Sequence, residues 1–363
     1  MKTRKCKILV FFSVLFVMLS FVACASGAES SKQKLRFIIG SGHSPRSLEY
    51  LISAEDFLMP EIQKRVAERT KYEIEWVPAF GTVANLSDIL KSIQNGLVEI
   101  GFMMTGALAG QLPYHNFSTI LPFTTNDPVV ALQAANKLYD EFPVLKDTLS
   151  KGFNQTLLCI HGLSDYGIYS TYPISSVEDL ANKKIGGSGR NLLWLENTGA
   201  VPVTSNLSDG YTSLQTKLID AQFCAASWGI NYKFPEVAKY YTDAGLGCSP
   251  IILLTANNDV WNDMPDDVRE IMKEVVAEYA LKSSEFSRDN LAWAMQKITE
   301  QGGTIVELTD EAKRAWAQKL PNLPDVAKKE LGNEGLKILK RYLEILKEMG
   351  QPVIREWTFP IDD

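Results

Sequence analysis

Apolar residues along this chain follow two alternating patterns, one with the length of a buried strand and one with the period of a helix. Apolar runs at 35–39, 72–77 and 97–103 predict strands, and the segments 55–70 and 86–94 between them show helical spacing. Strands that alternate with helices favour a parallel or mixed sheet. The first part of the chain therefore predicts an α/β domain.

The same alternation starts again in the second half of the chain. Short strands are predicted around Tyr166, Ile185 and Ala221, and helices around Leu192 and Tyr211. A second α/β unit, similar to the first, is therefore expected.

A further apolar strand at 250–255 precedes one continuous helical pattern over 265–301. Two aspartates lie in its first turn and two glycines follow its end, which are ordinary signals for the start and stop of a helix. At 1.5 Å per residue this helix would be about 55 Å long, enough to span both units. The leucines of 334–349 predict a last amphipathic helix, either packed on the core or in a dimer contact.

The N-terminus reads as an export signal over residues 1–25. Four basic residues precede the apolar run 8–22, and small residues follow it. Two processing routes remain open, simple cleavage or lipid attachment at Cys24. Loss of the segment would take the net charge from -6 to -10, which disfavours nucleic acid and anionic membranes as partners. A mature, periplasmic protein is expected.

Cysteines and histidines give no sign of metal or redox chemistry. Cys159, Cys224 and Cys248 remain after the signal, at spacings typical of neither a metal site nor a disulfide framework. A bond between Cys224 and Cys248 stays open. The three histidines have no metal-ligand spacing and no nucleophile has a visible base, so we expect neither an enzyme nor a cofactor.

The segment around Arg190 is the best candidate for an anion site. The strand at Ile185 runs into the glycine-rich turn 186–190, and a helix is predicted from Asn191. First-turn N–H groups lack helical partners, and an arginine offers a planar bidentate fork. The arrangement predicts a carboxylate site.

Several motifs in a fixed order carry a family resemblance. They are 67–70 followed by 72–78, then 92–102, Leu121 to Phe123, 177–185, 199–203 and 211–216. Together they resemble the solute-binding subunits of tripartite ATP-independent periplasmic (TRAP) transporters, over nearly the whole mature chain. The resemblance implies a two-domain, periplasmic-binding-protein-like α/β fold, each domain a mixed sheet flanked by helices. It also implies capture of an organic acid between the domains and delivery to membrane permease subunits.

The expected boundaries follow from the restart of the pattern and from the resemblance. Domain I comprises 34–162 and 249–288, domain II comprises 163–248 and 289–350, and 351–363 form a tail. A monomer is expected, with a dimer possible. The alternatives are a receptor for another importer or a sensor and, from a different class, an exported enzyme acting on a small acid.

The chain departs from the family pattern at its expected anchor. The resemblance implies an arginine where this chain has Gly186, and Arg190 is the predicted replacement. The resemblance also implies polar residues at or near the positions that Cys224 and Tyr166 occupy in this chain. A reduced polar grip and nearby aromatic rings predict an acid with an apolar or aromatic body. The predicted ligand-binding residues are Arg190, Trp194, Phe223, Trp228, Tyr166, His43, Gly81, Met104, Cys224 and Tyr211, although Trp194 and Phe223 could equally be core residues.

Overall fold

The computed structural model describes residues 32–248 and 252–361, so the predicted signal segment and Cys24 lie outside the described residues. The strands are β1 (Gln33–Ser41), β2 (Tyr72–Phe80), β3 (Ile100–Met104), β4 (Gln155–His161), β5 (Gly167–Ser170), β6 (Lys184–Gly187), β7 (Val201–Thr204), β8 (Ala221–Cys224), β9 (Tyr240–Asp243), β10 (Ile252–Asn257) and β11 (Thr304–Glu307). They form two mixed sheets, ordered β2-β1-β3-β10-β4 and β11-β9-β5-β8-β6-β7. We call the first sheet with its helices the first lobe, and the second sheet with its helices the second lobe.

Helices cover both sheets. They are α1 (Glu49–Ser53), α2 (Met59–Arg69), α3 (Ile89–Gln94), α4 (Phe117–Ile120), α5 (Pro128–Glu141), α6 (Pro143–Asp147), α7 (Leu207–Gln215), α8 (Ala226–Asn231), α9 (Asn258–Asp263), α10 (Asp266–Glu300), α11 (Asp310–Lys319) and α12 (Leu323–Glu348). The predicted two-sheet α/β architecture is confirmed.

The long helix predicted over 265–301 is present as α10, with 35 residues. It contacts α1, α2 and α5 of the first lobe and α8 and β11 of the second. Its buried residues include serines as well as apolar residues, as expected for a helix that is packed against both lobes. The helix braces both lobes, as the sequence predicted.

Two chain segments cross between the lobes side by side. Asp165 accepts a hydrogen bond of 2.6 Å from the Gly247 N–H, and Tyr166 and Leu246 exchange backbone bonds with the opposite segment. Asp165 is buried, and burial raises the pKa of its carboxyl to about 8. The two crossing segments are thus hydrogen-bonded to each other and contain a buried carboxyl group.

The C-terminal helix α12 packs on α4 and α5, which are helices of the first lobe. It is broken at Gly332, whose φ of 60° and ψ of −168° a glycine adopts without the steric cost of a side chain. The expected boundaries place 289–350 in the second domain, and β11 does join the second sheet. Those boundaries stay a prediction, while the contacts attach α12 to the first lobe.

Candidate functional site

A small cavity of about 120 Å³ lies between the two lobes. Its lining comprises Gly42, His43, Ser44, Leu86 and Met104 of the first lobe and Tyr166, Ser188, Asn191, Ser205, Asn206, Leu207, Ser208, Gln222, Phe223 and Tyr232 of the second. The two walls follow the ends of β1, β3, β6, β7 and β8, which is where open α/β sheets bind ligands. We call this space the interlobe cavity.

The cavity has a buried floor and an exposed rim. The floor consists of His43, Met104, Tyr166, Asn191, Ser205, Gln222 and Phe223, and the exposed rim includes Ser44, Ser188, Asn206 and Ser208. None of the described lining residues is an aspartate, glutamate, lysine or arginine. Specificity must therefore come from neutral hydrogen-bonding groups and from shape.

His43 is held on the floor by a short chain of hydrogen bonds. Its Nδ1 lies 2.8 Å from the Tyr50 hydroxyl, which lies 2.7 Å from Ser41 Oγ. Burial lowers the pKa of His43 to about 4, so its imidazole is neutral at physiological pH. Since Tyr50 occupies Nδ1, Nε2 is the ring nitrogen that remains for a ligand.

The segment after β6 differs from the helix that the sequence predicts. Gly189–Leu195 is a 3₁₀ helix, and the Ser188 N–H donates to Asn191 Oδ1 at 3.0 Å in a capping box. This box uses amide groups that the sequence analysis expected to be unpaired. The box satisfies the Ser188 and Asn191 N–H groups internally, so these two groups of the turn are not free for a ligand.

Arg190 does not line the interlobe cavity. Its side chain is only 7% exposed, and Nη2 lies 2.6 Å from Glu330 Oε2 on α12. Because α12 packs on the first lobe and Arg190 belongs to the second, this ion pair is a contact between the two lobes. The role of Arg190 as ligand anchor stays a prediction, and its ion pair with Glu330 argues against it.

The predicted aromatic residues form two layers. Tyr166 and Phe223 line the cavity, whereas Trp194 and Trp228 are fully buried behind them. Tyr166 meets both indoles edge to face, at 6.1 Å from Trp194 and 5.3 Å from Trp228. The two tryptophans therefore support the floor in this structure without contacting the cavity.

Trp228 is fixed by a buried carboxylate of the other lobe. Its Nε1 donates to Glu49 Oε2 at 2.7 Å, and the other Glu49 oxygen accepts from Asn290 at 3.0 Å and from Ser227. Glu49 is 1% exposed. The sequence analysis did not single out Glu49, because a glutamate in a helical segment is usually exposed.

The other predicted site residues divide between the cavity and its surroundings. His43 and Met104 line the cavity. Gly81 is exposed beside Ser44, Cys224 is buried with burial raising the pKa of its thiol, and the Tyr211 hydroxyl donates to Glu236 at 2.9 Å. All three described cysteines are free, so Cys224 and Cys248 are not bonded here.

Sequence reasoning missed most of the polar lining. Gln222 lies in β8, Ser205 directly follows β7 and Asn206 directly precedes α7, and none of them belongs to a distinctive motif. Their position at the ends of predicted strands was the one available signal.

A second cavity, of about 270 Å³, lies between α12 and the C-terminal tail. Its lining includes Lys347 and Arg355 as well as Glu344 and Glu356, and no strand of either sheet. A movement of the two lobes toward each other would not enclose this cavity between their strand ends, so we do not assign the solute site there. Among the described residues there is no metal-ligand cluster, and no helix combines the length and apolar character needed to cross a bilayer.

Comparison with known proteins shows the family of this chain. Residues 56–330 match the family model described as bacterial extracellular solute-binding protein, family 7. The ectoine-binding periplasmic protein TeaA of Halomonas elongata is 22% identical over 82% of this chain and 88% of its own length.

Solved structures of similar proteins share the fold. A TRAP solute-binding protein from Rhodoferax ferrireducens, in complex with copurified benzoate, has a TM-score of 0.77 and 15% identity, covering 87% of this chain and 98% of its own. A Bordetella pertussis extracytoplasmic solute receptor that binds pyroglutamic acid has a TM-score of 0.73 and 19% identity, covering 85% and 99%. This chain therefore belongs to family 7 of the bacterial extracellular solute-binding proteins, the solute receptors of TRAP transporters.

Proposed function

We propose that this receptor captures one compact organic acid in the interlobe cavity and delivers it, as a monomer outside the cytoplasm, to TRAP membrane subunits. The observation that carries the proposal is that the lining comes from both lobes at the ends of their strands. A ligand that contacts both walls stabilises the closed arrangement, whereas one that contacts a single wall cannot.

The size and polarity of the cavity narrow the ligand. About 120 Å³ suits a small solute, and the uncharged lining suits one acidic group better than two. Relatives are named for ectoine, C4-dicarboxylates and 2-oxoacids, and solved structures for pyroglutamate and benzoate. For this chain we propose a monocarboxylate with a ring or a similarly compact body, which Tyr166 and Phe223 would contact.

The amino end of α7 is the proposed place for the carboxylate. Ser205, Asn206, Leu207 and Ser208 line the cavity there, and Asn206 makes no side-chain cap to the helix. The first-turn N–H groups of a helix lack intrahelical partners and carry a partial positive charge. They can thus bind an acid group without an arginine.

A negative charge placed at this helix start should weaken acid binding. We expect Asn206→Asp to raise the Kd of any bound carboxylate at least about tenfold, because like charges at contact distance repel. Aspartate and asparagine cap helices equally well, so the fold should keep its stability. Thermal-shift screening of an organic-acid library would identify the ligand, and calorimetry would then compare the variant with the wild type.

Asn182→Asp provides the matched control. Asn182 is exposed in the second lobe with a φ of 62°, a conformation that aspartate also tolerates, and it does not line the cavity. It adds the same charge at a distance and should leave the Kd unchanged. Equal weakening of binding in both variants, or no weakening in either, would show that the carboxylate does not bind at α7.

Arg190 can be tested directly. We expect Arg190→Met to change the Kd of the acid by less than about threefold, since the guanidinium pairs with Glu330 outside the cavity. Calorimetric titration with the acid found in the screen measures this. A loss of a hundredfold or more would restore Arg190 as the anchor.

A further inference from the structure

His43 is the buried polar side chain of the first-lobe wall of the interlobe cavity. The other first-lobe lining residues are the small Gly42, the exposed Ser44 and the apolar Leu86 and Met104. His43 is 6% exposed, and its Nε2 has no hydrogen-bond partner among the described residues. Unlike Nε2 of His115 and of His161, this atom is not closed off from solvent. It is therefore the ring atom that a solute in the cavity can meet.

Three hydrogen bonds behind His43 decide which ring nitrogen carries the proton. Ser41 Oγ accepts from the His43 backbone N–H at 3.2 Å and lies 2.7 Å from the Tyr50 hydroxyl. That hydroxyl lies 2.8 Å from His43 Nδ1. Ser41 and Tyr50 are each 1% exposed, so their hydroxyl protons need acceptors within this group.

One direction of this chain of bonds satisfies both hydroxyl protons. If Ser41 donates to the Tyr50 oxygen and Tyr50 donates to His43 Nδ1, each proton has an acceptor and the ring proton is on Nε2. In the reverse direction Nδ1–H donates to Tyr50 and Tyr50 donates to Ser41. The buried Ser41 proton then has no acceptor among the described residues, which is costly. The first direction is therefore favoured.

The protonation of both rings agrees with this direction. Burial lowers the pKa of His43 to about 4 and raises the pKa of Tyr50, so at neutral pH the imidazole is uncharged and the phenol keeps its proton. We propose that Tyr50 and Ser41 hold His43 as an Nε2–H donor, and that this donor binds an uncharged oxygen of the captured acid. The proposal rests on the proposed function, which places the carboxylate on the opposite wall at α7.

The position of the ring proton can be measured without a solute. The chain has three histidines, so a side-chain ¹⁵N–¹H correlation spectrum is simple, and comparison with His43→Phe assigns the His43 signals. We expect a proton on Nε2 and none on Nδ1 at neutral pH. Ser41→Ala should keep this state, because Tyr50 still donates to Nδ1. Tyr50→Phe should give a mixture of both tautomers, because Nδ1 then has no donor.

Matched acids test the contact with the solute. The pairs are tetrahydro-2-furoate with cyclopentanecarboxylate, and methoxyacetate with butyrate, and in each pair a methylene group replaces an ether oxygen. We expect the oxygen member of at least one pair to bind at least about tenfold more tightly in calorimetry, because its analogue leaves the His43 N–H unpaired.

His43→Phe assigns this preference to the imidazole. The variant should weaken the oxygen member by about tenfold and change the affinity for the methylene member by less than about threefold, so the methylene member controls for folding and for the carboxylate site. The acid found in the library screen should also bind about tenfold more weakly to this variant.

The outcomes separate this inference from the proposed function. A proton on His43 Nδ1 in the wild type, a single Nε2–H tautomer that persists in Tyr50→Phe, or an unchanged Kd of the screened acid in His43→Phe would each overturn the inference alone. So would binding of both pairs without a preference for oxygen. If no carboxylate of the library binds, the proposed function fails and the solute contact fails with it, whereas the spectra still decide whether Tyr50 and Ser41 fix the tautomer.

Discussion

Glu49→Ala is expected to lower the free energy of unfolding by about 3 kcal/mol or more, since three donors, two of them buried, would lose their acceptor. The donors are Trp228 Nε1, Asn290 Nδ2 and the Ser227 hydroxyl, and they all point at one carboxylate that is 1% exposed. Urea unfolding followed by tryptophan fluorescence would measure the change.

Ligand binding should also weaken in this variant. Glu49 is on α1 of the first lobe, whereas Ser227 and Trp228 are on α8 of the second, so the carboxylate connects the two lobes. Trp228 in turn lies 5.3 Å from the Tyr166 ring on the cavity floor. We expect a higher Kd for the acid together with the loss of stability.

Glu49→Gln is the matched control, because it keeps the size of the side chain. A glutamine can accept from Trp228 through its oxygen and donate to Ser227, whose hydroxyl can accept, if the Asn290 amide rotates. We expect a loss of only about 1 kcal/mol, which is typical of one altered hydrogen bond. Equal losses in the alanine and glutamine variants would show that the hydrogen bonds are not the cause.

The sequence predicted the architecture because periodicity is a local property. The strands, the restart of the pattern and the 35-residue helix α10 all follow from spacings that are visible within about 20 residues. Tyr166 and Phe223 were predicted as site residues from the family resemblance, as residues near cleft-facing positions of relatives, and both line the cavity.

The partners of charged side chains could not be predicted in this way. Arg190 was interpreted as a ligand anchor, but its ion-pair partner Glu330 is far away in sequence and reaches it through the packing of α12. Glu49 and Trp228 are equally distant in sequence. Such pairs depend on how the two lobes pack, and the spacing of residues within a short segment does not reveal this packing.

Stability should depend on pH with a maximum near pH 7. Burial lowers the pKa of His43 to about 4 and that of His115 and His161 to about 3, while it raises the pKa of Asp165 to about 8. Below an unfolded pKa near 6.5 the unfolded chain binds three protons that the folded histidines do not, so stability falls as the pH falls. Asp165 has the opposite effect: between about pH 4 and 8 the folded state binds a proton that the unfolded state does not, so its contribution to stability falls as the pH rises and is lost above about pH 8.

The two effects give an asymmetric profile. From pH 7 to 5 the histidines outweigh Asp165, and we expect the free energy of unfolding to drop by about 3 kcal/mol. From pH 7 to 9 the ionisation of Asp165 should lower it by about 1 kcal/mol. Ion-paired surface carboxylates such as Glu348 titrate below this window, because Arg341 and Lys137 hold the pKa of Glu348 near 2. Urea unfolding at pH 5, 7 and 9 gives the three values.

Asp165→Asn separates the two contributions. Asparagine keeps the oxygen that accepts from the Gly247 N–H but has no proton to lose, so the decline between pH 7 and 9 should disappear. The decline between pH 7 and 5 should become steeper, at about 5 to 6 kcal/mol, because nothing then opposes the histidines. If the variant keeps the wild-type profile on the alkaline side, the buried carboxyl between the lobes is not the titrating group. If its acid side is no steeper than that of the wild type, Asp165 does not oppose the histidines between pH 5 and 7.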